Sequence, residues 1–113
     1  MDEQTIRDFY RDLIRINRES FQGEEFDIAY HTLMSALHCA QQLKDIPYLR
    51  EVERVANEQL KYIDAHHPEY EHSTVSASNR NHVSVFQTLA RQASARVTII
   101  QNTPRQKGNP LSP

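Results

Sequence analysis

The chain has 113 residues, 38% of them apolar, and a mean hydropathy of −0.72. That bounds it to one domain with a thin core, and with no run of about 18 apolar residues no bilayer span is expected. The formal net charge of −2 hides a division: residues 1–71 hold all fifteen carboxylates and eight of the thirteen Lys and Arg, whereas residues 72–113 hold five cations and no acid. Such asymmetry points to two different surfaces, one of them suited to nucleic acid, to another protein or to the acidic part of the same fold. Asp2 and Glu3 stand where a leader would be apolar, and the single Cys39 has no intramolecular disulfide partner. A reduced, cytoplasmic setting is therefore the expectation. Only Gly23 and Gly108 occur, too few for the turns of an all-β chain.

In chain order, the first expected helix spans about 3–21, with Asp2 as its cap and Ile6, Phe9, Tyr10, Leu13, Ile16 and Asn17 at helical spacing. Gly23 is placed to end it in a left-handed cap. The second spans about 24–44, with Glu24, Glu25 and Asp27 in the first turn, where carboxylates complement the helix dipole. Its face is Phe26, Ala29, Tyr30, Leu33, Ala36, Leu37, Ala40 and Leu43, with alanines small enough to let a neighbouring helix approach. Asp45 and Pro47 start the third, about 46–66, whose stripe is Leu49, Val52, Val55, Ala56, Leu60 and Ile63 and which Pro68 ends. Residues 68–79 read as a polar linker. A fourth helix over about 79–101 follows, with Ser78 as cap and Val83, Phe86, Leu89, Ala90, Ala93, Val97 and Ile100 as stripe. The tail, 102–113, holds three prolines and is expected to be disordered. The expectation is an all-α protein: a helical core over 1–67, a linker, and a C-terminal amphipathic helix, in an antiparallel bundle or array.

Residues 10–43 resemble a single tetratricopeptide-like hairpin. Leu13 and Ile16 take the apolar positions of the first helix. After a Gly-Glu-Glu turn, Phe26, Ala29, Leu33 and Ala36 match the aromatic, small, large, small positions of the second. Asn17 stands where that family has a glycine, and Gln41 where it has a closing proline. The resemblance implies an antiparallel helical hairpin that binds peptides or proteins.

Arg7, Arg11, Arg15 and Arg18 line one face of the first helix, suited to phosphates or an acidic helix. Carboxylates three or four residues from Arg7, Arg11 and Arg15 offer these three ordinary surface pairs. The fourth helix offers Arg80, Arg91 and Arg96 with no acid beside them. His31 and His38 flank the second helix, with Asp27 four residues ahead, and the stretch Asp64, His66, His67, Glu69, Glu71 and His72 is dense in metal-ligand types. No inward-facing Glu-x-x-His pair accompanies them, so no metal, cofactor or ligand set is assigned. Glycine-rich phosphate loops and a nucleophile elbow are excluded by the two glycines. The expectation is a non-enzymatic protein–protein interaction module: an adaptor, a regulatory subunit or a homo-oligomer joined through the C-terminal helix. A nucleic-acid-associated regulator using the basic C-terminal half is the alternative, and a metal-binding bundle the third.

Overall fold

The computed structural model describes residues 1–103, so the expected tail lies outside the described residues from residue 104 on. The elements are α1 (Glu3–Gln22), α2 (Phe26–Leu43), α3 (Ile46–His66), α4 (Thr74–Asn79) and α5 (Val85–Asn102). The described chain is all-α. None of these helices is long and apolar enough to cross a membrane.

Short connections force neighbouring helices to double back. Phe21 near the end of α1, Phe26 at the start of α2, Ile63 near the end of α3 and Phe86 at the start of α5 share one apolar cluster. The four long helices therefore run alternately up and down. At the opposite end Arg7 of α1 meets Asp45, just ahead of α3, at 2.7 Å. Hairpin α1–α2 and pair α3–α5 form the two halves, joined where α2 packs on α3 and α5. Leu33, Leu37, Leu49, Val52 and Leu89 are fully buried between them, each contributing about 1.5–3 kcal/mol by leaving water. The basic C-terminal helix thus packs against the acidic part of its own chain.

The end of α1 is built differently from the expectation. Gly23 keeps a negative φ of −84°, and the left-handed residue is Glu24, at φ 60°. Glu24 N–H donates to Phe21 O and Glu25 N–H to Ser20 O, which closes the open carbonyls of the last turn. Glu24 and Glu25 consequently precede α2 rather than opening it. The same device ends α2, with Lys44 left-handed at φ 53° and Asp45 N–H bonded to Ala40 O. Asp45 then caps α3 by accepting the Tyr48 N–H at 2.9 Å.

The buried face of α1 is also rotated from the expected one. Ile6, Tyr10, Ile14 and Asn17 are buried, while Phe9 and Ile16 remain exposed. Residues 68–79 are not a plain linker. Ser73 caps the one-and-a-half-turn α4 and donates to Pro68 O at 2.6 Å. Asp64 of α3 takes both the N–H and the hydroxyl of Thr74. The last long helix starts at Val85, capped by Ser84, because the buried Ser84 hydroxyl donates to His72 O at 2.6 Å and fixes the entry there. Val83 thereby falls outside the helix and is exposed.

Candidate functional site

Alternating helices bring α1 and α3 side by side across α2, and their exposed flanks form a groove. Its floor begins with Tyr10, buried, whose ring stacks on Tyr48 at 3.9 Å between centroids and 7° between planes. The Tyr10 hydroxyl donates to the Glu51 carboxylate at 2.6 Å, with Tyr48 O 3.2 Å away. Burial, and then the neighbouring Glu51 charge and hydrogen bond, push the Tyr10 hydroxyl well above the usual tyrosine range. The phenol is therefore neutral and acts as a fixed strut. Arg7 completes the stack 5.5 Å above the Tyr48 ring, and its hydrogen bond to Asp45 holds the guanidinium firmly protonated.

The groove encloses about 510 Å³ and is lined by Tyr10, Ile14 and Tyr48 at its floor and by Arg11, Arg15 and Arg18 along its α1 wall, with Glu19 and Glu51 at its edges. A smaller hollow continues it past Arg18 toward Phe21, Arg54 and Gln59. Three sequence-predicted arginines are thus brought together over an apolar floor. The fourth, Arg7, is committed to Asp45.

Each groove arginine makes only loose ion pairs. Arg11 lies 3.7 Å from Asp8, Arg15 3.8 Å from Asp12 and 3.4 Å from Glu19, and Arg18 3.5 Å from Glu51. Their side chains are more than half exposed, so solvent screens these pairs and each is worth little. An incoming anionic group can replace them with shorter, forked hydrogen bonds. The groove thus sets three guanidinium groups and two carboxylates around an apolar floor and a neutral phenol.

The C-terminal arginines lie elsewhere. Arg80 is outside α5 and closes α4, donating to Glu71 O and Ser76 O. Arg91 borders a shallow hollow with Glu53 and Asn57, and Arg96 borders another with Gln41 and Ile99. The ion pairs among the described residues involve neither of them. The two therefore do not form one site with the groove.

The histidines separate too. His31 and His38 are exposed on α2, and Asp27 turns away from them toward Tyr70, whose hydroxyl it accepts. Asp27, Glu71 and His72 come within 4.8 Å of one another at the surface. His67 binds Glu24 at 2.9 Å and packs on Phe26, tying the end of α3 to the left-handed turn after α1. Tyr48 and Glu51 carry no sequence signal as groove residues, since nothing in local spacing says that α1 and α3 are neighbours. Known proteins give no match: no family model, no curated protein and no solved structure is similar to this chain.

Proposed function

We propose that this chain is a non-enzymatic protein–protein interaction module whose α1–α3 groove takes an acidic segment of a partner protein. One observation carries this: Arg11, Arg15 and Arg18 stand in a row over the apolar floor made by Tyr10, Ile14 and Tyr48. An acidic segment with interspersed apolar side chains satisfies both features, displacing the loose intramolecular pairs and covering the floor. The up-and-down order of the helices supports the same reading, since it leaves the exposed flanks of α1 and α3 on one open side.

The test is selection of peptides from a random display library with the full chain as bait. Enriched sequences are expected to carry Asp or Glu around an aromatic or aliphatic anchor, and Arg15→Glu with Arg18→Glu is expected to abolish their capture. Enrichment without acidic bias, or capture that survives the double variant, overturns the reading. Retention of short RNA or DNA that falls steeply with salt and depends on Arg91 and Arg96 would favour the nucleic-acid alternative instead.

A further inference from the structure

The hairpin α1–α2 carries more apolar surface than its own fold covers. Beside the buried stripe of α1 runs a second one, Phe9, Leu13 and Ile16, of which Phe9 is 45% and Ile16 36% exposed. On α2 the surface continues with Ile28, 49% exposed, and with half-buried Cys39. Between them lies a groove of about 430 Å³, bordered by Phe9, Leu13, Ser35 and Cys39, with Asp12 and His38 at its two rims. The apolar sector of α1 is therefore wider than the part that its own fold buries. Phe9 and Ile16 lie on the flank of α1 away from Arg11 and Arg18, and Asp12, which pairs with Arg15, stands between the two faces.

We propose that this face is the contact between two copies of the chain, the α1–α2 hairpin of one lying on the same hairpin of the other about a two-fold axis. Shape supports a second copy as the occupant. The α1 stripe is bulky, with Phe9, Leu13 and Ile16, whereas the α2 stripe is small between Ile28 and Leu43, with Thr32, Ser35 and Cys39. A two-fold contact seats the large side chains of each copy on the small ones of the other, as interdigitating helices require. Charge agrees. Beyond its apolar stripe, α1 ends in an edge of Asp8, Asp12 and Glu19. The matching edge of α2 carries His31 and His38, and no carboxylate occurs from Ile28 to Lys44. The same operation brings acidic edge to imidazole edge twice. The C-terminal helix, by contrast, has its apolar face already covered by α3.

Sedimentation equilibrium of the full chain tests this. A dimer is expected, with Phe9→Glu monomeric at unchanged helical circular dichroism, because Phe9 is a surface residue. Asp12→Lys is expected to raise the dimer dissociation constant about tenfold, and His38→Glu added to it to restore affinity. A chain that stays monomeric at ~100 µM overturns the proposal, because contacts of that strength are already of the weakest class. So does a dimer indifferent to Phe9→Glu but broken by Ile99→Glu, which would move the contact to α5.

Discussion

Asn17 and Gln59 exchange amide hydrogen bonds inside the junction of α1, α2 and α3. Asn17 Nδ2 donates to Gln59 Oε1 at 3.1 Å, and Gln59 Nε2 donates back to Asn17 Oδ1 at 2.8 Å. Asn17 also donates to Ala29 O at 2.8 Å. Both side chains are buried, so removing one strands the other away from water. Asn17→Ala should lose about 1–3 kcal/mol of stability. Leucine at both positions should recover most of it, because no polar group is then left unpaired. Urea unfolding of the three proteins checks both outcomes.

Alkaline pH should destabilise the fold through Tyr10. Its folded-state pKa is raised by burial and then by Glu51, so the neutral phenol is favoured in the native state. Stability is therefore complete below the unfolded value of about 10 and declines as pH rises past it. Tyr70, raised by burial and then by Asp27, acts in the same direction. Tyr10→Phe should be about 1 kcal/mol less stable at neutral pH, having lost its hydrogen bonds. Its further decline on titration into the alkaline range should be shallower than that of the parent. Thermal melts across that range give the comparison.

Among the described residues three helix ends place a side chain in the left-handed region, at Glu24, Lys44 and Asn81, and the first two should answer differently to glycine. Lys44 is exposed at φ 53°, and Lys44→Gly should stabilise by about 0.5–1 kcal/mol by removing its Cβ strain. Glu24, at φ 60°, also holds His67 at 2.9 Å. Glu24→Gly should gain less, because the relief of strain is offset by the loss of that contact. Chemical denaturation resolves the difference.

Cutting the chain after His67 should leave a fragment without cooperative unfolding. Leu89, Ala90, Ala93 and Val97 of α5 belong to the same buried cluster as Val52, Val55 and Ala56 of α3. Removing them exposes one whole face of α3. The milder Ser84→Ala should cost about 1–2 kcal/mol, since it removes the cap of α5 and leaves the His72 carbonyl without its donor. Calorimetry of both chains reads these losses directly.

The first three helices were legible to within two residues at each end, because their signals are local. Asp2 and Asp45 cap as their side-chain chemistry dictates, Pro47 sits in a first turn, and the α2 stripe repeats at helical spacing along one buried face. The start of α5 was not legible. Ser78 and Ser84 are equally good caps by type, and Ser84 is selected by a hydrogen bond to His72, twelve residues away in sequence. The left-handed position after α1 fell to Glu24 rather than Gly23, one residue beyond the expected cap, where His67 of the α3 end meets the glutamate at 2.9 Å.

The arginine row of α1 follows from sequence alone, since spacings of three and four place Arg11, Arg15 and Arg18 on one flank wherever the helix goes. That this flank forms a groove with Tyr48 and Glu51 was decided by tertiary packing, which brings α1 and α3 together over a separation of some forty residues. The same holds for the apolar stripes of α1. Periodicity shows that Phe9, Leu13 and Ile16 share a face as good as that of Ile6, Tyr10 and Ile14. Only the partners supplied by α2 and α3, and above all the buried Asn17–Gln59 pair, determine which face turns inward. Helical spacing fixes the relative direction of side chains on one element, whereas the choice among equivalent faces depends on polar groups that must find partners from elsewhere in the fold.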